Sequence, residues 1–115
     1  MSWLRGVDAE TRAQRFLEGR GLRLIARNWR CKGGELDLLM DDGNTLAVIE
    51  VRSRARSDYG SALESVDARK RGRLVHATQL FLVAHPEHAQ REVRFDVVTV
   101  EGTELQWLKA AFDGG

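Results

Sequence analysis

The chain has 115 residues, 43% of them hydrophobic and 30% charged, with a formal net charge of +1. Those values fit one folded domain, residues 1–115, with a modest core, and they exclude a disordered or fibrous chain. The longest apolar run, Leu80 to Ala84, is far short of the roughly 20 residues of a membrane span.

Met1-Ser2-Trp3-Leu4-Arg5 lacks the apolar region of a signal peptide, so no membrane partner is expected. The single cysteine, Cys31, excludes an internal disulfide and fits a reducing cytoplasm, which is the expected location. Without a second cysteine for a zinc knuckle, Cys31 reads as an inert thiol.

The spacing predicts a first helix capped by Asp8 and running to about Glu18, where Gly19 and Gly21 end it. Its apolar face is Ala9, Ala13, Phe16 and Leu17. At about 100° per residue, Glu10 borders that stripe. It is either a capping or snorkelling residue or an acid that reaches a site at the sheet edge. Leu22 to Trp29 reads as a strand with Leu22, Leu24 and Ala26 on one side.

Two further runs form a hairpin. From Glu35 to Met40, Leu36, Leu38 and Met40 alternate with Glu35, Asp37 and Leu39. Thr45 to Arg52 is apolar and β-branched, and Asp41-Asp42-Gly43-Asn44 lies between them. Asp-Gly signals a type I′ turn, because glycine tolerates positive φ. With Asp42 and Gly43 central, Asp37 faces Val48, Glu35 faces Glu50, and Glu35, Asp37, Glu50 and Arg52 share a face. Opposed like charges destabilise a strand pair by up to about 1 kcal/mol. Arg52, a bound cation or both should compensate. Hard oxygen ligands suit Mg²⁺, Mn²⁺ or Ca²⁺ rather than zinc. The alternative is a set of solvated surface acids, and a bulge would flip the parity.

Ser57 to Gly60 is turn-like, and Ala62 to Val66 fits a short helical turn. Asp67 is expected to cap a long helix ending at Ala84, closed by His85-Pro86. Leu74, Ala77 and Phe81 make its core stripe, with Lys70 one turn earlier. That lysine either snorkels or aims its ammonium at whatever lies beside the sheet. Gly72 costs about 1 kcal/mol inside a helix, which points to close backbone contact. Arg94 to Val100 is a strong strand in which Phe95, Val97 and Thr99 alternate with Arg94, Asp96, Val98 and Val100, and Asp96 within it reads as structural. A short strand is expected from Glu104 to Leu108, with Ala110 to Phe112 packing back on the core. His76 is mid-helix and His85 and His88 flank Pro86, so none fits helical metal-ligand spacing. Nothing supports a Ser-His-Asp or Cys-His mechanism.

Net charge hides segregation. Residues 1–34 carry eight Lys/Arg against three Asp/Glu, residues 35–50 five acids and no base, and residues 51–75 seven bases against three acids. An acidic island between basic segments suits a metal site within a polyanion-binding surface. A merely solvated basic face is the competing reading.

The order α-β-β-β-α-β, with an acid followed by Glu-x-basic on the next strand, resembles the PD-(D/E)xK nuclease fold, an α/β mixed sheet flanked by helices. More specifically, several pieces resemble the YraN family: Ala9-Glu10-x-x-Ala13-x-x-x-Leu17, Ala26-Arg27-Asn28-Trp29-Arg30-Cys31, Gly34-Glu35-Leu36-Asp37-Leu38 and Val48-Ile49-Glu50-Val51-Arg52-Ser53-Arg54. So do Ala62-x-x-Ser65-Val66, Lys70-x-x-x-Leu74 and Arg94-Phe95-Asp96-Val97-Val98. The family is similar in fold to Holliday-junction resolvases and restriction enzymes, and its members are largely uncharacterised. The resemblance implies Asp37 and Glu50 as ligands of Mg²⁺ or Mn²⁺, with Glu10 as the helix-borne acid. It implies Lys70 as a base from the following helix and a homodimer by analogy. Arg52 departs from the lysine of the motif. Arginine stays charged, so it cannot act as a general base, but it can steady a water or a developing phosphorane charge.

The expected function is metal-dependent hydrolysis of phosphodiester bonds in DNA, structured or branched DNA included. Asp37, Glu50, Glu10, Arg52 and Lys70 form the site, and Arg52, Arg54, Arg56 and Lys70 contact nucleic acid. The alternative is a non-catalytic nucleic-acid-binding module on the same scaffold, which Arg52 favours. A third reading is an assembly factor whose charged face serves a partner protein.

Overall fold

The computed structural model describes residues 5–53 and 64–114, with side chains from residue 9 onward. Helix α1 (Arg5–Glu18) precedes strands β1 (Arg23–Cys31), β2 (Gly34–Asp42) and β3 (Thr45–Ser53). Helix α2 (Ala68–Ala84), a short 3₁₀ turn (Pro86–His88), and strands β4 (Glu92–Glu101) and β5 (Glu104–Phe112) follow. The five strands lie in sequence order in one sheet. Only β3 and β4 pair in parallel; the other neighbours are antiparallel. Antiparallel neighbours are joined by tight turns, whereas the parallel pair requires a long crossover, which contains α2.

The sheet is covered on both faces. On one, Ala9, Ala13 and Leu17 of α1 bury against Leu38, Met40, Ala47, Ile49, Val98 and Val100. On the other, Leu74, Ala77 and Phe81 of α2 bury against Leu36, Leu39, Leu46, Val48, Phe95 and Val97. Both helical stripes lie where their spacing predicts. Trp29 meets Phe81 edge-on at 5.4 Å between ring centres, tying β1 to α2. Asp67 caps α2 as expected, its Oδ1 accepting from Lys70 N at 2.9 Å. The helix stops at His85, before Pro86, which cannot donate to the next turn.

Several expectations are corrected. Helix α1 already includes Arg5, so Asp8 lies inside it and does not cap it. Leu24 pairs with Met40 and Ala26 with Leu39 across a bulge, so these two residues lie on opposite faces. The bulge leaves Leu24 exposed. A side chain at Gly72 would meet open space. The close approach is at Gly34, where a Cβ would stand 3.2 Å from Arg73 O and 3.3 Å from Ala77 Cβ. β5 continues through Phe112, with Ala110 at φ +54° absorbing a register shift. Ser57 to Gly60 and residues 62 and 63 of the expected helical turn lie outside the described residues.

The hairpin register also differs. Asp42 pairs with Thr45 and Leu39 with Val48, so Gly43 and Asn44 are the central turn residues. Of these two only Gly43 has positive φ, at +65°, the pattern of a II′ rather than a I′ turn. Arg91 clamps the turn, donating to Asp41 Oδ1, Gly43 O (2.9 Å) and Thr45 O (3.1 Å). Its guanidinium, with that of Arg23, holds the Asp41 carboxyl below its usual range.

Candidate functional site

The β2–β3 ladder ends at Leu38 and Ile49. Continuing the register by one step would bring Asp37 to Glu50, not to Val48, and Glu35 falls beyond the paired segment. The expected Glu35–Glu50 juxtaposition is therefore wrong. Glu35 instead pairs across β1–β2 with Arg30, at 3.7 Å. The shift moved the pairing by an even step, so Asp37 keeps its relation to the face of Glu50.

Alternation in β2 breaks at Asp37: Leu36 packs on the α2 side, Leu38 on the α1 side. The expected grouping of Leu36 with Leu38 and Met40 is thus corrected. Near it, Asn28 of β1 adopts φ +49°, a left-handed conformation that asparagine tolerates better than most residues. Two strands thus lose regularity at one level of the sheet. There Asp37 Oδ2 accepts a hydrogen bond from Val51 N at 2.9 Å. A side chain supplies what a strand carbonyl would otherwise give.

Glu50 lies on the α2 face and is 4% exposed. Its Oε2 is 3.3 Å from both Arg52 Nη2 and Lys70 Nζ. Lys70 therefore aims its ammonium at the sheet rather than only snorkelling. Arg52 Nη2 also donates to Ser65 O at 3.3 Å. Glu50 Oε1 and Arg52 Nε are buried without a hydrogen-bond partner among the described residues. Burial first and the charge of Asp37 second push the Glu50 carboxyl up to about 7, against the pull of Lys70 and Arg52, and a hydrogen bond shared with Asp37 favours the protonated form. A carboxylate this buried is costly unless its charge is met.

Glu10 approaches from the α1 side. Its Oε1 is 3.6 Å from Arg27 Nη2. Arg27 Nη1 also donates to Gln14 at 3.1 Å, fastening β1 to α1. Burial raises the Glu10 carboxyl first and the neighbouring Asp37 charge second, while Asn28 and Arg27 lower it. Asp37 is thus the carboxylate felt by both Glu10 and Glu50. Among the described residues no three His, Cys, Asp or Glu side chains form a closed metal-binding group. The nucleus is a pair, Asp37 and Glu50, with Glu10 at its border.

That donor set fits a small divalent ion. Mg²⁺ uses one or two carboxylates and keeps several waters, and Glu50 Oε1 is an acceptor left over. Of the residues expected to contact nucleic acid, Arg52 and Lys70 both lie beside Glu50, while Arg54 and Arg56 lie outside the described residues.

Asp96 is structural in the observed geometry. It is 1% exposed and accepts from Arg94 Nε and Nη2 (both 2.9 Å), Trp107 Nε1 (3.0 Å) and Ala110 N (2.9 Å). Sequence reasoning did not anticipate Asn28, Arg27 or Ser65 around the carboxylates. Asparagine in the middle of β1, a residue that tolerates positive φ, was the one available signal for the break.

Fold and site together define an α/β domain, a five-stranded mixed sheet between two helices, with a buried carboxylate pair where two strands part. The chain belongs to the uncharacterised protein family UPF0102, whose family model matches residues 9–100; this is the YraN family that its motifs resemble. A UPF0102 protein of Ectopseudomonas mendocina (strain ymp) is 54% identical over 111 residues, covering 94% of this chain and 93% of the relative. UPF0102 proteins of Pseudomonas putida strains W619 and GB-1 are 52% and 51% identical over 113 residues, covering 94% of this chain and 92% of each relative.

Proposed function

We propose that this chain has a PD-(D/E)xK nuclease-type fold and hydrolyses phosphodiester bonds in DNA with the help of Mg²⁺ or Mn²⁺. The observation that carries the reading is Glu50, a buried carboxylate with one oxygen unpartnered beside Asp37. The parallel β3–β4 pair with α2 in its crossover, and the placement of Asp37, Glu50 and Arg52 on β2 and β3, support the same reading.

Asp37 and Glu50 would hold the ion, and Glu10 would complete its surroundings directly or through water. When bound, such an ion supplies Lewis acidity and lowers the pKa of a coordinated water. Arg52, steadied by Ser65 O and Glu50, keeps donors available for a phosphate oxygen. It stays protonated, so proton removal from the attacking water falls to a carboxylate or to solvent. Lys70 offsets charge at Glu50 and the phosphate.

Cleavage of supercoiled and branched DNA with Mg²⁺ or Mn²⁺ tests the proposal. Asp37→Ala and Glu50→Ala should each lower the rate at least about 100-fold, the scale of losing a group that stabilises transition-state charge. Arg52→Lys should retain or raise it. Cleavage that persists in both alanine variants would remove the proposed site.

One observation favours a second reading. Glu50 Oε2 already has two cationic partners at 3.3 Å, which suits a self-neutralised site that binds nucleic acid without cutting it. Salt-sensitive binding of wild type with no metal-dependent cleavage by either wild type or Arg52→Lys would select that reading.

A further inference from the structure

The turn between β1 and β2 presses on the second and third turns of α2. Gly34 lies against Arg73 O and Ala77, and Gly33, at φ +92°, lies beside the His76 ring. This packing walls off a cleft of about 640 Å³, with Arg30 and Glu35 on the hairpin side and Lys70, Arg73 and Leu74 on the helix side. Three cations face one acid, and that acid is already paired with Arg30. Lys70 also lies 3.3 Å from Glu50 Oε2, so the helix wall of the cleft reaches Glu50.

The charge here runs against helix preference. The N-terminal end of a helix favours acids, yet α2 has none in its first turn and begins Ala68-Arg69-Lys70-Arg71-Gly72-Arg73. Arg71 has a local use: its Nε donates to Val66 O at 2.8 Å, and its guanidinium lies over the Phe112 ring. Lys70 and Arg73 instead face the cleft. Arginine forks and a lysine point charge match phosphate oxygens. The described lining contains no aromatic ring on which a base could stack.

We propose that this cleft is a flanking-phosphate subsite. It holds one backbone phosphate of a nucleic-acid strand, irrespective of sequence, next to the phosphate addressed at Asp37 and Glu50. The subsite rests on the proposed function for its substrate class, but it requires neither a metal ion nor turnover.

The test is fluorescence anisotropy of a labelled single-stranded DNA oligonucleotide in EDTA across a salt series. Arg30→Ala/Arg73→Ala should weaken binding about 10-fold at low salt. It should also flatten the dependence of log K on log salt by at least about 0.7, the contribution of one single-strand phosphate contact. Arg30→Lys/Arg73→Lys should keep the wild-type slope, and Arg23→Ala, beside Asp41 away from the cleft, should change neither quantity. Inorganic phosphate at matched ionic strength should not displace the strand.

Wild-type affinity and slope in the double alanine variant would overturn the subsite, as would displacement by inorganic phosphate, the mark of a free-anion site. If the slope changes as expected while no metal-dependent cleavage occurs, the subsite stands and hydrolysis falls. If cleavage occurs with an unchanged slope, hydrolysis stands and the subsite falls. No strand binding by wild type overturns both.

Discussion

Asp96 and Glu50 are buried carboxylates on neighbouring strands, one register step apart: Asp96 pairs with Ile49 and Val97 with Glu50. They face opposite sides of the sheet. Asp96 accepts four hydrogen bonds from three residues, and its partner Arg94 is also tied to Asp42 at 2.9 Å. Those contacts hold the Arg94 guanidinium more firmly protonated than usual. Glu50 has two long ion pairs to one oxygen and, among the described residues, no hydrogen-bond donor on the other. Asp96 is the pattern of a charge buried to fix β5 on the sheet. Glu50 is the pattern of a charge kept for something outside the chain, because an unmet polar atom in a well-packed protein calls for an explanation.

The largest effect should come from breaking the satisfied member. Asp96→Ala leaves Trp107 Nε1 and Ala110 N without their acceptor and weakens the hold on Arg94. It should cost about 3–5 kcal/mol, the range for breaking a buried ion pair. Urea unfolding measures this, and a loss below about 1 kcal/mol would show that Asp96 does not anchor β5.

The other member should respond to pH in the opposite sense to an ordinary ion-paired acid. Its folded value, about 7, lies above the roughly 4.3 of an unfolded glutamate. The folded state therefore binds the extra proton, and stability falls as pH rises through the window between those values. At about 1.36 kcal/mol per pH unit, the full drop is on the order of 4 kcal/mol. Glu10, also raised, adds to the same trend. Thermal melts in EDTA from pH 4.5 to 8 should show the decline in wild type and most of it gone in Glu50→Gln. Equal slopes in the two proteins would mean that Glu50 is not the titrating group.

The smallest effect sharpens the contrast between glycines near the site. Gly72→Ala, with open space around the new methyl, should stabilise by about 1 kcal/mol through helix propensity. Gly34→Ala meets Arg73 O and Ala77 and should destabilise by a similar amount. Opposite signs in chemical denaturation are expected, and a stabilised Gly34→Ala would show that the hairpin and α2 can move apart.

Much of this architecture was legible in the chain itself. Strict alternation in β4 sorted Phe95 and Val97 from Val98 and Val100 correctly, and Asp67, Leu74, Ala77 and Phe81 placed α2 and its face. The level at which Asp37 meets β3 was not legible, because it depends on which two residues make the turn. Asp42-Gly43 and Gly43-Asn44 both satisfy turn chemistry, and it is the pairing of Asp42 with Thr45 that separates them. Both registers set odd positions of β2 against even positions of β3, but the break at Asp37 takes Glu35 out of the expected group. The local break at Asn28 and Asp37 was hidden for a related reason: period-two patterns describe a regular strand, and this site lies where regularity ends. The meeting of Arg30 and Arg73 on opposite sides of one cleft is tertiary and has no signature in local spacing.

The hydrogen bond from Val51 N to Asp37 Oδ2 has a mechanical consequence. It is a stitch in the seam between β2 and β3 made by a side chain, so any occupant that takes that oxygen must undo the stitch or share it. Amide exchange at Val51 therefore works as a gauge of occupancy. It should quicken when Mn²⁺ is added to wild type and be insensitive to Mn²⁺ in Asp37→Ala, where no stitch exists. Identical protection with and without the ion in wild type would mean that the seam stays closed whatever the neighbouring carboxylate holds.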